Sequence, residues 1–320
     1  MFSTRDRLLL ALARAPQRTA SGADLARRLG LTRTAVWKQI NALKVEGLSI
    51  KTRHANGYQL STPYDVSLLE GPFSQKAGFW KAHYQFSVTS TQTLAKQAAE
   101  TGTPEGHYWL SEKQTAGRGR LERTWDSAIG GLWFSLLLRP DISPALVPSL
   151  TLVVSLALAE SIRELTHVQA RLKWPNDVVV ETPGGWRKVA GILTELSAEV
   201  DRTRWVVVGI GVNANNVLDP SLARRATTLS DLCGRLIVRA DILSAFLNRL
   251  GKAYRRFEKS GFEAFRKPYW QLYSRPNAAV QLKTSQGVVS GVARGVDARG
   301  ALVVESQKQI QSIWEGEIVL

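Results

Sequence analysis

The apolar and polar positions near the start of the chain predict two short helices joined by a tight turn. Ser21 opens a capping-box-like sequence in which Asp24 stands where Glu or Gln is more usual. Leu25 and Leu29 follow at helical spacing, and Gly30 supplies a left-handed stop. This pattern predicts the first half of a helix-turn-helix motif.

A second helix is predicted from the N-cap Thr32 to about Lys44. Its apolar positions, which should pack inward, are Ala35, Val36, Ile40 and Leu43. A DNA-reading helix presents its early residues to base edges and phosphates in the major groove. The candidate DNA contacts are therefore Thr32, Arg33, Thr34, Trp37 and Lys38.

Two alternating segments, Leu48–Arg53 and Tyr58–Leu60, flank the sequence His54-Ala55-Asn56-Gly57. Asn-Gly is a strong hairpin signal, because both central residues of a type I′ turn need positive φ. A helix-turn-helix followed by a hairpin predicts a winged helix over residues 1–62. A helical protein-interaction domain with a basic, solvated face is the alternative.

The chain beyond the hairpin predicts a mixed domain. The apolar pattern gives strands at Tyr84–Val88, Gly131–Arg139 and Arg204–Ile210, and helices at about Thr93–Glu100 and Ala145–Leu165. Pro148 and several polar residues interrupt the last segment, so we expect a buried core helix, too short and too polar to span a bilayer. Strands that pair around Gly-rich turns and are covered by helices predict an α+β fold.

Three motifs in this domain bring chemistry. Ser90-Thr91-Gln92 lies at a strand-to-helix corner, where hydroxyls either cap the helix or bond a small polar ligand. The segment Gln114–Arg120 alternates glycine with two arginines, which predicts a flexible anion-binding loop without the Gly-Lys-Ser/Thr ending of a P-loop.

The third motif is a predicted hairpin that begins near Asp177, turns at 182–185 and returns at Lys188. A carboxylate opposite an ammonium keeps both groups ionised and orients the lysine. Alone, such a pair is usually a salt bridge; beside an Arg-rich loop it would serve to neutralise a reacting carboxylate and phosphate. Lys173 is a second candidate cation for the same role.

Charge is unevenly distributed along the 320 residues, whose formal net charge is +15. Residues 1–62 carry eleven basic and three acidic side chains, so more than half of the excess lies in a fifth of the chain and favours a nucleic-acid partner. The single cysteine, Cys233, excludes an internal disulfide, and the four histidines show no metal-ligand spacing, so no fixed protein metal site is expected. No signal-peptide pattern follows Met1, and we expect a cytoplasmic protein without a membrane segment.

Taken in order, these motifs resemble the bifunctional biotin–protein ligase and biotin-operon repressor family. The matching segments are Ser21-Gly22, Leu29-Gly30, Gly57-Tyr58, Ser90-Thr91-Gln92, Gln114–Arg120 with Trp125, Lys173–Asp177, Arg187–Leu193, Gly209–Asn213, Arg275-Pro276 and Gly295–Leu302. The resemblance implies a winged helix-turn-helix at 1–62, a central mixed α/β ligase domain at 63–273 and a small SH3-like β-barrel at 274–320.

The resemblance also implies the site. Lys188, Asp177 and Arg120 would act on the reacting carboxyl and phosphate, with Asp177 orienting the lysine or activating the incoming amine. The adenine side would be bound by Trp125 and Asn213. Biotin and biotinyl-5′-AMP would be bound by Ser90, Thr91, Gln92, Gln114, Gly117, Arg118, Gly119, Arg120, Lys188 and Gly191.

The implied substrates are ATP and biotin with Mg²⁺, and the implied partners are the biotin carboxyl carrier of acetyl-CoA carboxylase, operator DNA and a second copy of the chain, whose homodimer biotinyl-AMP would promote. Gln92 stands where the family usually has Asn, and Glu122 brings a negative charge to the loop. Two alternatives stay open: a ligase for another acid such as lipoate, and a DNA-binding regulator that senses a small acid without transferring it.

Overall fold

The computed structural model describes residues 3–53, 57–60, 65–70, 79–307 and 309–319. The chain divides into two compact units. The first comprises Met1–Lys76 and Leu236–Ala240, and the second comprises Ala77–Arg235 and Asp241–Leu320.

The first unit is a helix-turn-helix followed by two antiparallel strands. Its elements are α1 (Thr4–Ala13), β1 (Thr19–Ala20), α2 (Gly22–Leu29), α3 (Arg33–Val45), β2 (Ile50–Arg53), β3 (Gly57–Leu60) and α4 (Ser67–Glu70), and its sheet has the order β1-β3-β2. Ser21 and Thr32 cap α2 and α3 as predicted, because each hydroxyl accepts the N–H of the residue three positions on. Gly30 ends α2 at a φ of +66°.

The outer face of α3 is as the sequence predicts. Val36, Ile40 and Leu43 are buried, Ala35 is half-buried, and Trp37 is 55% exposed. The other four candidate DNA contacts, Thr32, Arg33, Thr34 and Lys38, are exposed. The predicted hairpin turn at His54-Ala55-Asn56 lies outside the described residues, although β2 and β3 pair on either side of it.

The second unit is built on a seven-stranded sheet. Its strands are β4 (Lys81–Val88), β5 (His107–Gln114), β6 (Leu132–Leu138), β7 (Arg171–Lys173), β8 (Asp177–Thr182), β9 (Gly185–Glu199) and β10 (Arg202–Val212), in the order β4-β5-β6-β10-β9-β8-β7. Only the β4–β5 pair is parallel in this sheet, as far as the structure describes it. The helices are α5 (Thr91–Glu100), α6 (Val147–Thr166), α7 (Leu229–Cys233), α8 (Arg239–Ser260) and α9 (Glu263–Leu272).

Helices α5 and α6 cover the sheet, α5 against β5, β6 and β10 and α6 against β7, β8 and β9. Ala95 and Ala99 of α5 pack with Trp205 and Val207 of β10 in one buried cluster. Because small residues face large ones there, α5 lies close to the sheet, and its N-terminus is fixed over β9 and β10.

The predicted core helix is present as α6, but the prediction that it is too short and too polar to span a bilayer was wrong. Pro144–Thr166 is long and apolar enough to cross a membrane by length and composition, and it is the one such helix in the part of the chain that the structure describes. Of its most apolar window, 78% is buried inside the protein, as in the core helix of a soluble protein. Burial, not brevity, accounts for its composition.

Several element boundaries differ from the prediction, and three of the differences have a cause in the hydrogen bonding. Helix α5 begins at Thr91, two residues early, because Gln114 rather than a local hydroxyl accepts the Thr91 N–H. Strand β10 continues through Gly211 to Val212, since both residues pair with β9. The strands β8 and β9 also continue into the predicted four-residue turn, because Thr182 and Gly185 pair with each other.

The C-terminal part is a five-stranded antiparallel sheet. Its strands are β11 (Ala279–Thr284), β12 (Gly287–Val296), β13 (Leu302–Ser306), β14 (Gln309–Ile313) and β15 (Glu317–Ile318), in the order β14-β13-β12-β11-β15. Within the described residues β14 and β15 are the two ends of this order and do not pair, so no closed barrel is formed. The α+β class is confirmed.

Candidate active site

A cavity of about 300 Å³ lies over β9 and β10, beside the N-terminus of α5 and the arginine-rich loop 115–124. All but one of the ligand-binding and catalytic residues predicted from the sequence line it: Ser90, Thr91, Gln92, Gln114, Arg118, Gly119, Arg120, Trp125, Asp177, Lys188, Gly191 and Asn213. Gly117 does not. A Cβ on Gly117 would lie 2.4 Å from the Trp125 carbonyl oxygen, so this glycine packs against the backbone at Trp125 instead of lining the cavity.

One end of the cavity is a polar network around Thr91. The Gln114 Oε1 atom accepts the Thr91 N–H at 2.8 Å and lies 3.1 Å from Thr91 Oγ1, which is in turn 2.9 Å from Ser135 Oγ. The Gln114 amide is fixed in that orientation because its Nε2 donates to Ser127 Oγ at 2.8 Å. The network therefore sets the geometry of the corner before any ligand arrives.

The Ser90 hydroxyl does not accept a backbone N–H of α5, so this serine does not act as a side-chain helix cap. Its Oγ is buried and has no partner among the described residues, and the same holds for Gln92 Oε1. Buried polar atoms nearly always form hydrogen bonds. Two such atoms without partners at the wall of a cavity therefore indicate a place for a polar ligand.

The centre of the cavity is cationic. The Lys188 Nζ atom lies 2.6 Å from Asp177 Oδ1, at the distance of an ion pair but without the alignment of a hydrogen bond. The same ammonium lies 4.6 Å from the centroid of the Trp125 ring, on its face. Lys188 is thus fixed by one negative charge and one aromatic face, with its remaining N–H groups available to an anion.

Trp125 lies on a platform made by two glycines. Gly191 and Gly211 are direct partners on β9 and β10, and a Cβ on either would come within 2.8 Å of the indole. The Trp125 Nε1 atom is buried without a partner in the described chain. An indole N–H is a hydrogen-bond donor that usually has a partner when it is buried.

Two arginines tie the loop to other elements. Arg120 donates to Asn176 Oδ1 at 3.0 Å, and its pKa is lowered by burial, against the opposing charges of Asp177 and Glu317. Arg123 makes two hydrogen bonds of 2.7 Å to the Glu317 carboxylate on β15. These bonds raise the pKa of Arg123 and lower the pKa of Glu317. The carboxylate that Arg123 pairs with is therefore Glu317, not the neighbouring Glu122.

Some cavity residues were not predicted. Glu317 and Ile318 come from the C-terminal sheet, Arg225 from the loop before α7, and Ser135 from β6. Arg225 stands out in the sequence only as one of two adjacent arginines. Its backbone carbonyl accepts the backbone N–H of Lys188 at 2.8 Å. In the described parts of the chain no group of three or more His, Cys, Asp or Glu side chains could bind a metal ion.

Three family models match the chain. The model described as the biotin/lipoate A/B protein ligase family matches residues 84–213. An HTH domain model matches residues 5–59, and the model described as the biotin protein ligase C terminal domain matches residues 277–320.

Individual proteins are similar over nearly the whole chain. The bifunctional ligase/repressor BirA of Bacillus spizizenii is 38% identical over 308 residues, which cover 94% of this chain and 93% of that protein. BirA of Escherichia coli is 30% identical over 302 residues, covering 94% of this chain and 92% of that protein. Among solved structures, biotin protein ligase from Aquifex aeolicus in complex with biotin and ATP aligns with a TM-score of 0.65 at 30% identity, covering 75% of this chain and 97% of that one.

Proposed function

The chain belongs to the biotin/lipoate protein ligase family, with the bifunctional ligase/repressors as relatives along its length, and on this premise we propose that it is an ATP-dependent biotin–protein ligase that also represses transcription of biotin genes. One observation carries the ligase assignment. Lys188 is fixed between Asp177 and Trp125 in a cavity whose opposite end has unpaired buried polar atoms. A small acid with a polar head group fits both ends.

In the first step, a carboxylate oxygen of biotin attacks the α-phosphorus of ATP. The new bond is O–P, the bond from phosphorus to the pyrophosphate oxygen breaks, and pyrophosphate leaves. Two anions approach each other here, so fixed cations that face the developing charge lower the barrier. Lys188 and Arg120 supply that charge, and Asp177 keeps the ammonium in place.

In the second step, the ε-amine of a carrier lysine attacks the acyl carbon of biotinyl-5′-AMP. The C–N bond forms, the C–O bond to the phosphate breaks, AMP leaves, and the amine releases a proton to solvent or to a nearby carboxylate. The mixed anhydride must survive until the carrier arrives. Leu121 of the loop is 73% exposed and lines the cavity, which suits a loop that closes over the intermediate and excludes water.

Mg²⁺ would come with the ATP phosphates, to which it supplies charge neutralisation, because the described residues have no carboxylate cluster to bind it alone. We propose the biotin carboxyl carrier of acetyl-CoA carboxylase as the carrier and the cytoplasm as the location of the reaction. Trp125 and Asn213 bind the adenine side, and Gly117 supports the loop from behind.

The repressor function rests on the first unit, which we assign as a winged helix with α3 in the major groove and the β2–β3 hairpin as its wing. A homodimer promoted by biotinyl-AMP would match a palindromic operator, because a two-fold protein suits a two-fold site. We propose the domain boundaries 1–62, 63–273 and 274–320, with the C-terminal sheet as an SH3-like fold that is open between β14 and β15.

A mass assay tests the ligase assignment. The pure protein is incubated with ATP, Mg²⁺, an apo carrier domain, and either biotin or lipoate. The molecular mass of the carrier is then measured by mass spectrometry. We expect the mass of the biotinyl group with biotin and no change with lipoate. Lipoylation alone would assign a different acid, and an unchanged carrier with both acids would leave a DNA-binding sensor without transferase activity.

A further inference from the structure

An ion pair beside the cavity has no part in the chemistry described above. The Lys96 Nζ atom on α5 lies 2.7 Å from Glu195 Oε1 on β9. Both side chains are about one-third exposed, so the pair itself adds little to stability. Its geometry matters because the second carboxylate oxygen of Glu195 faces Gln92.

Gln92 is buried between α5 and the sheet, one helical turn before Lys96. Its Nε2 donates to Glu195 Oε2 at 2.9 Å and to the Val207 carbonyl at 3.2 Å. Both partners can only accept hydrogen bonds. Reversing the amide would place Oε1 against two oxygen atoms, so the Glu195 carboxylate and the Val207 carbonyl fix which way the Gln92 amide turns.

That orientation leaves Gln92 Oε1 buried and without a partner in the described part of the chain. The oxygen lies over Gly209, where a Cβ would be only 2.5 Å away, and both residues line the cavity. An amide oxygen can only accept, so this position is satisfied by a ligand that brings an N–H or O–H donor.

We infer that Lys96 and Glu195 are positioning residues, which hold the Gln92 amide with its oxygen towards the cavity, and that Gln92 Oε1 accepts a ureido N–H of biotin. Lys96 occupies one carboxylate oxygen of Glu195 and so turns the other towards Gln92. This inference rests on the proposed ligase function and deepens it, because it assigns a determinant of acid selectivity. Lipoate, whose dithiolane ring has no N–H, would leave the buried oxygen unpaired and is rejected for that reason.

The test measures KM for biotin and KM for ATP separately. In Gln92→Met the acceptor is lost while the volume is similar, and we expect the biotin KM to rise about fivefold to tenfold, as for one lost hydrogen bond. In Glu195→Gln the carboxylate becomes an amide that can accept or donate, so only the Val207 and Leu193 carbonyls still favour this orientation of Gln92. We therefore expect a smaller rise, of about threefold. The ATP KM should stay within about twofold of wild type in both variants, because the nucleotide side is untouched.

Substitutions of Lys96 test the same inference at a partly exposed side chain, where they should not prevent folding. Lys96→Met should raise the biotin KM by about twofold, and Lys96→Arg, which keeps the cation, should restore it. Lys252→Met on α8 is the matched control for losing one lysine charge. Melting temperatures of all variants identify any that are merely unfolded.

The inference is overturned if Gln92→Met leaves the biotin KM unchanged, if Glu195→Gln raises the ATP KM as much as the biotin KM, or if Lys96→Met and Lys96→Arg behave alike. Wild-type labelling separates these outcomes from failure of the proposed function. If wild type labels the carrier with biotin and the variants do not behave as expected, only the positioning role is lost. If wild type does not label it, the ligase assignment fails first, and the positioning role fails with it.

Discussion

Trp125 lies flat on the sheet because two strand positions lack side chains. Gly191 and Gly211 face each other on β9 and β10, and the indole fills the space that two Cβ atoms would occupy. The position of the tryptophan in turn sets the face on which the Lys188 ammonium rests. Sequence motifs marked all four residues, but the register that pairs the two glycines is a property of the folded sheet.

A methyl group on the platform should therefore disturb the nucleotide side. Gly211→Ala would place Cβ 2.6 Å from Trp125 Nε1, and the indole must shift. We expect the ATP KM to rise by about tenfold, equivalent to about 1.4 kcal/mol of binding. Gly295→Ala on β12 is the matched control, because nothing lies within 4 Å of its Cβ position. An equal KM in both variants would argue against the proposed role of Trp125 on the adenine side.

Lys188 is the residue whose loss should cost most. Lys188→Ala removes the ammonium from the reacting centre, and we expect kcat for carrier labelling to fall by at least about a hundredfold, the usual effect of removing one preorganised charge donor. DNA binding by the winged helix should remain possible in this variant, as judged by gel shift. Normal labelling by this variant, with Lys252→Ala as the control, would refute the role assigned to Lys188.

At the scale of elements, the arginine-rich loop is joined to the C-terminal sheet. The Arg123–Glu317 pair links residues 194 positions apart, and Glu317 lies on a two-residue strand. No local pattern in the sequence indicates such a contact, since short edge strands carry little periodicity. By contrast, the helix caps at Ser21 and Thr32 depend on neighbouring residues and were predicted correctly.

The Arg123–Glu317 pair predicts a pH dependence of loop order. The pKa of Glu317 is lowered from 4.5 in the folded protein, chiefly by its hydrogen bond with Arg123, so the contact is complete above pH 4.5 and is lost as the pH falls through the lowered value. We expect Glu317→Gln to lower hydrogen-exchange protection of residues 117–124 by about twofold to fivefold at pH 7. The difference from wild type should vanish at acid pH.

Glu305→Gln serves as the control for that experiment. Glu305 pairs with Arg294 on the same C-terminal sheet, and its loss should leave the loop unchanged. Equal protection in wild type and Glu317→Gln at pH 7 would show that the ion pair does not order the loop.

At the scale of the whole molecule, the predicted DNA contacts and the cavity lie in separate units. The charge excess at 1–62 and the exposed α3 side chains Arg33 and Lys38 were evident from the sequence, because charge and helical periodicity are local properties. For the cavity, the sequence showed only the separate motifs whose residues line it. Which motifs meet, and at what distance, depends on strand order and on the long-range bonds of Gln114, Gln92 and Glu317.

Substitutions on α3 should therefore affect DNA binding alone. Arg33→Ala or Lys38→Ala removes a candidate phosphate contact, so each should weaken operator binding and reduce the slope of log K against log salt by about one. Carrier labelling should be unchanged. Arg255→Ala on α8 is the control for losing one exposed positive charge. A gel shift unaffected by both α3 variants would remove the DNA role from this face.

Because Glu317 and Ile318 line the cavity, we expect the proposed central segment 63–273 to be incomplete as a catalytic unit by itself. A fragment that stopped there would expose the intermediate to solvent on one side and leave Arg123 without its carboxylate. Substitutions near the end of the chain lie far from the sequence motifs of the site. We nevertheless expect them to increase the release of biotinyl-5′-AMP into solvent more than they lower the melting temperature.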